Sequence, residues 1–289
     1  MVLSVDEELE PALRDSKGGR LFNIFQNDKS SILIANHQLY TDWIYMWTIA
    51  KLQRLDGNVK IILKASLQKI PIFGWGMEFL EFIFLKRNWD KDQNTLISSM
   101  NRIKTKMYPT LLILFPEGTT LSLDGRKKSL EYSEKNNLKD FKYLLHPRST
   151  GLFFCLTQLR ESIDYVYDLT FGFPGIDPKQ FKWPEDFYSL KNMFGSRIYP
   201  KSISVHIRRF HVSTIPSDKG AFTEWLNQRY EEKDQLLTQF YTNGHFTPHK
   251  KSKNSISVPP MSPFEIFSEL AVMWSIFFSA VYIIKHFML

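Results

Sequence analysis

An α/β architecture, a sheet with helices on both faces, is what this 289-residue sequence predicts. Three observations carry that expectation. Short apolar runs, SILIA from Ser31, VKIILKA from Val59 and TLLILF from Thr110, have the length and composition of buried strands. Longer segments between and after them repeat apolar residues every three or four positions, the spacing of amphipathic helices. Strands and helices therefore alternate along the chain, the order that places helices over a sheet.

The elements follow in order. The opening stretch, MVLSVDEELEPALRDSKGGR, is polar and has no signal peptide or spanning segment, so residues 1–29 read as a polar tail. Structure is expected from Ser31. SILIA is the first strand, NHQLYT the loop after it, and Thr41 and Asp42 are the capping residues of a helix, DWIYMWTIAKLQRL. That helix stops near Asp56-Gly57, and VKIILKA follows as a strand. DQNTLISSMNRIKTKM carries apolar residues at 96, 100, 103 and 107, one helical face, and Pro109 ends it ahead of the strand TLLILF. After Gly118 the chain is polar and lysine-rich until Leu144.

In HPRSTGLFFCLTQLRE, Ser149 and Thr150 suit the cap of an apolar helix. YVYDLTFGF and SISVHIRRFHVS are strands, and the alternation of the second slips at Arg208-Arg209, which suggests a bulge or a strand end. Glu224 to Tyr241 is a charge-rich amphipathic helix, so one domain is expected over residues 30–248.

The tail changes character. Residues 249–263 form a basic, proline-ended linker, and Leu270 to Ile284 is free of charge. Fifteen helical residues reach about 22 Å, short of a hydrocarbon core of roughly 30 Å. Counted from Phe264, with Glu265, Glu269 and Lys285 reaching the interfaces, the segment is long enough, so residues 264–289 are expected to form a membrane-anchoring helix. A buried core helix is the competing reading. Lys250, Lys251 and Lys253 on one side against Lys285 on the other favour a cytosolic main domain. Ile70 to Leu85, apolar apart from Glu78 and Glu81, reads as a loop and short helix lying in a membrane interface, or as an ordinary core strand and helix.

Composition points the same way. Apolar residues make up 43% and aromatic residues 15%, with 24 Phe and 7 Trp, a load that suits a lipid-facing surface. The formal net charge of +7 favours anionic partners. The single cysteine, Cys155, lies in an apolar run and reads as a core residue; it excludes an internal disulfide and a cysteine-rich metal site.

The chemistry starts at Ala35–Trp43, ANHQLYTDW. At five-residue spacing His37 and Asp42 would sit about 140° apart on one helix and could not meet. They meet if His37 lies in the loop and Asp42 in the first turn of the following helix. A carboxylate on one ring nitrogen fixes the tautomer and leaves the other nitrogen as a base suited to an alcohol at neutral pH.

NHQLYTDW resembles the HxxxxD motif of the glycerolipid acyltransferases, and FPEGTT, Phe115 to Thr120, resembles their FPEGT motif. KASLQKIPIFGWGMEFLEFIFLKR, with Arg87 at its end, is similar to the block between them. HPRSTG, VYDLTFGF, VHIRRF and EWLNQRYEEKDQLLTQFY further resemble the branch with lysocardiolipin and lysophosphatidylinositol acyltransferases, so the likeness covers roughly residues 31–246. The resemblance implies a glycerol-3-phosphate acyltransferase-like fold with a central mixed sheet. It implies that acyl-CoA is a cosubstrate, that no metal or held cofactor is needed, and that the enzyme works at a membrane, the endoplasmic reticulum with the main domain facing the cytosol. His37 would deprotonate a lysophospholipid hydroxyl and Asp42 would orient it. Glu117 would meet glycerol hydroxyls, Gly118 and Thr119 would offer donors to phosphate, and Arg87, assisted by Lys64, would pair with that phosphate.

One departure stands out: members of this branch carry hydrophobic segments ahead of HxxxxD, where this sequence has its polar tail. A catalytically inactive membrane scaffold is the second reading. Nucleic-acid binding rests on basic charge alone, without a matching motif, and is not expected.

Overall fold

Parallel strands covered by helices on both faces need apolar side chains on both, and read as unbroken apolar runs. β2 (Ser30–Ala35) and β5 (Leu111–Leu114) have this character, and every residue of both is buried. The computed structural model describes residues 1–6, 9, 24–174, 183–246 and 256–257. The chain divides into two units, Val2–Ile256 and a second of Met1 with Ser257–Leu289.

The elements of the first unit are β1 (Val2–Val5), β2, α1 (Asp42–Leu52), β3 (Val59–Lys64), α2 (Phe73–Phe79), β4 (Ile83–Leu85), α3 (Trp89–Thr105), β5, α4 (Leu123–Lys135), α5 (Ser149–Leu159), β6 (Ile163–Gly172), α6 (Pro184–Phe187), α7 (Leu190–Phe194), β7 (Ser204–His211) and α8 (Lys219–Asn243). The strands of this unit lie in the order β4-β3-β5-β2-β6-β7-β1. β4, β3, β5, β2 and β6 run parallel, β7 is antiparallel to β6, and β1 is parallel to β7. The sheet is mixed, as the family resemblance implies.

One core runs under α3, α5 and α8. Leu96, Met100 and Ile103 of α3 form the expected face, with Leu152, Cys155, Leu156 and Leu159 of α5 and Phe222, Leu226, Tyr230, Leu237 and Phe240 of α8 beside them. Each such large side chain contributes about 1.5–3 kcal/mol on leaving water. α8 comes close enough to β6 that a Cβ added at Gly172 would meet the Phe240 ring at 2.8 Å. Met107, read as part of the α3 face, lies past the helix and is exposed.

Four expectations are corrected. Structure does not begin at Ser31: β1 pairs with β7, and His206 ties it down, with Ser4 Oγ 3.1 Å from its Nδ1 and Asp6 Oδ1 3.1 Å from its Nε2. The polar stretch after Gly118 contains α4, capped by Ser122, whose buried positions are the small residues Gly125, Ser129 and Ser133. β7 runs unbroken through Arg208-Arg209, paired with Asp168 and Tyr167. Arg208 turns inward because Asp168 receives it: one guanidinium nitrogen lies 2.5 Å from Asp168 Oδ2, and Lys233 of α8 pairs with the same carboxylate. Arg148, not Ser149, stands at the N-cap of α5, and it makes no side-chain cap bond.

Among the described residues no helix is long and apolar enough to cross a membrane. The anchoring helix expected over 264–289 lies outside them, as does the basic linker apart from Ile256–Ser257.

Candidate active site

The register of β2 on β5 sets two loops side by side. Ile34 pairs with Leu114, so the loop after β2 and the loop after β5 leave the sheet at the same edge. Three residues on stand His37 and Glu117. The Glu117 carboxyl group stitches the loops: Oε1 accepts the His37 N–H at 3.0 Å and Oε2 accepts the Leu145 N–H at 3.2 Å. Leu121 N–H donates to the His37 carbonyl at 2.8 Å, and Phe115 stacks on the imidazole with centroids 4.3 Å apart. The turn between needs Gly118, whose φ is +71°, where a side chain would be strained.

His37 stays in the loop and Asp42 opens α1, as the five-residue spacing requires. Asp42 Oδ2 lies 3.3 Å from His37 Nδ1 and also accepts the N–H groups of Gln38 at 2.6 Å and Leu39 at 2.9 Å. The loop is thus wound onto one carboxylate oxygen. Burial pushes the Asp42 carboxyl above its ordinary value, against the bonds from His37, Leu39 and Gln38. Because the carboxylate only accepts, Nδ1 carries the ring proton and Nε2 presents its lone pair. That lone pair faces the Thr120 hydroxyl, 3.3 Å away, where an alcohol to be deprotonated would sit.

Comparison with known proteins settles the family. The model described as Acyltransferase matches residues 22–173, and the one described as Acyltransferase C-terminus matches residues 196–265. The chain belongs to the glycerolipid acyltransferase family. It is 40% identical to an uncharacterized acyltransferase of Schizosaccharomyces pombe over 256 residues, covering 89% of this chain and 72% of that protein. Identity is 38% to the 2-acyl-1-lysophosphatidylinositol acyltransferase of Saccharomyces cerevisiae, covering 79% of this chain and 66% of that protein. It is 34% to lysocardiolipin acyltransferase 1 of Gallus gallus, covering 74% and 54%. The chain thus spans from about half to about three quarters of the length of these relatives.

Within this acyltransferase domain the other expected site residues divide. Glu117 is 2% exposed and both its oxygens serve backbone amides, so it braces the His37 loop and does not present an open face to glycerol hydroxyls. Burial raises its carboxyl to about 8. Gly118 forms the turn and Thr119 beside it is half-buried. Lys64 ends β3 in register with Leu85 of β4, two residues before Arg87, and both basic residues are exposed.

Two residues with no assigned role also meet the site. Arg148 lies against Gly118: a Cβ built there would be 3.4 Å from Arg148 Cδ. Its HPRSTG motif was visible in the sequence, its approach to the PEG turn was not. Glu185 Oε2 accepts the Tyr40 N–H at 3.1 Å behind the His37 loop, and burial lifts its carboxyl to about 7. No local motif marks it.

Proposed function

We propose that this chain transfers a fatty acyl group from acyl-CoA to the free hydroxyl of a lysophospholipid, lysophosphatidate or lysophosphatidylinositol, in phospholipid synthesis or remodelling. The carrying observation is His37 held between a buried carboxylate on Nδ1 and a hydroxyl on Nε2, at the edge where the PEG turn emerges. Nε2 takes the proton of the acceptor hydroxyl as its oxygen attacks the thioester carbonyl. The tetrahedral intermediate expels the CoA thiolate, which receives that proton from the imidazolium. Asp42 holds the ring's orientation and balances its charge in between. Arg87, with Lys64 near it, serves the acceptor phosphate, a role suited to the forked guanidinium. Gly118 and Thr119 line the same turn. No metal or held cofactor takes part.

The work is done at a membrane in this reading, the endoplasmic reticulum with the domain on its cytosolic side. The support is an apolar surface at α2, where Ile72, Phe73, Trp75 and Phe79 are 73%, 70%, 66% and 84% exposed. So large a cluster of exposed aromatic residues suits contact with lipid.

The test is radiolabelled acyl incorporation from acyl-CoA by purified protein in vesicles, over a panel of lysolipids. Labelled phosphatidate or phosphatidylinositol is expected. Silence over the whole panel would overturn the reading in favour of an inactive scaffold.

A further inference from the structure

Four arginines bond carboxylates or backbone carbonyls of the protein. Arg126 pairs with Asp140, Arg208 with Asp168 and Glu232, Arg229 with Glu232, and Arg160 donates to three backbone carbonyls. Arg87 and Arg148 differ. Both are exposed, and neither has a carboxylate partner among the described residues. Partial desolvation and, after it, the charge of Arg148 hold the Arg87 guanidinium below its ordinary value. An anion lying between two guanidinia that have no carboxylate partner would be held by both.

Their position says where that anion would sit. The Arg148 N–H donates to the Pro116 carbonyl at 2.8 Å, which pins it to the PEG turn. Its side chain then runs past Gly118, whose missing Cβ would lie 3.4 Å from Cδ and 3.6 Å from Nε. One residue before, Glu117 holds the His37 amide, and two residues after, Thr120 meets the His37 ring. Arg148 also begins α5, an eleven-residue helix whose first N–H groups receive no side-chain cap from it.

We propose that Arg148 is the second guanidinium of a clamp, with Arg87, that grips the phosphate of the acceptor lipid. The inference rests on the lysophospholipid reading of the same site. The acceptor is favoured over CoA because its phosphate lies within a carbon or two of the hydroxyl that attacks. The phosphates of CoA are separated from the thioester by the whole pantetheine arm. Two forked guanidinia give the phosphate several charge-assisted bonds and fix the glycerol so that its hydroxyl reaches Nε2.

The experiment compares wild type, Arg148→Gln and Arg148→Lys as full chains in vesicles. Arg148→Gln should raise the acceptor KM by roughly 10- to 100-fold, with the acyl-CoA KM within about twofold. Arg148→Lys should fall between, keeping the charge without the fork. A rise in the acyl-CoA KM instead, or no change in either, overturns the clamp. A second readout does not need turnover: binding of lysophosphatidate and of uncharged monoacylglycerol to His37→Ala and His37→Ala/Arg148→Gln. The added substitution should weaken lysophosphatidate alone, and equal weakening of both lipids would contradict the proposal. If wild type acylates nothing yet lysophosphatidate binding still depends on Arg148, the acyltransferase reading fails and the anion clamp stands.

Discussion

Asp168, Asp42 and Glu117 are equally hidden from water, yet the protein solvates them in two different ways. Asp168 carries two cations, Arg208 and Lys233, which overcome the cost of burial and hold it below the ordinary carboxylate range. Asp42 and Glu117 receive backbone N–H groups and, for Asp42, one imidazole, and burial pushes both upward. Full cationic compensation is placed in the β6–β7–α8 interior. At the His37 loop a lysine or arginine on Asp42 would compete for the carboxylate and weaken its hold on the ring. The contrast separates a structural anion from one that, in the proposed reaction, is reserved for the imidazolium.

Replacing the reserved anion should have the largest effect. Asp42→Asn removes the counter-charge and the tautomer preference together, and acyl transfer should fall about 10³- to 10⁴-fold while unfolding in urea moves little. The structural anion should respond in the opposite sense. Lys233→Met leaves Asp168 buried with one cation fewer, and the unfolding free energy should drop by about 3 kcal/mol. Activity per folded molecule should stay within about tenfold of wild type, a spread of about 1.4 kcal/mol.

Glu117 tests the boundary between the two. Its folded value of about 8 lies above its ordinary 4.5, so the native state binds the extra proton. Its contribution to stability is therefore full at acid pH and is lost as pH climbs from about 4.5 through about 8. Glu117→Gln should flatten that decline in denaturation curves taken across this window. It should also cost about 1–3 kcal/mol throughout, because an amide N–H₂ would face one of two backbone donors. A decline left unchanged by the substitution would place the titration elsewhere.

What could be read from the sequence was local. β2, β3, β5, α3 and α8 announce themselves through apolar runs or periods, and the His37–Asp42 pair through its loop-to-helix spacing. The failures are nonlocal. β1 is four residues long and becomes a strand only because β7, some two hundred residues later, offers an edge. α4 buries glycine and serine, which leave no apolar period. Arg208 looks like a break in alternation until Asp168 and Glu232 are seen to receive it. Glu117 belongs to a motif whose wording suggests a ligand, and only the amides of His37 and Leu145 show that it braces a loop. Arg148 needed the return of the chain past Gly118.

In the proposed reaction the His37 ring, aimed by Asp42, removes the acceptor's proton. The most direct test of that step is the transfer rate of wild type and His37→Ala in the same vesicles, with thermal midpoints measured on the same preparations. Matching midpoints and a fall in transfer of about 10²- to 10⁴-fold are expected. Near-wild-type transfer by the alanine variant would contradict that step.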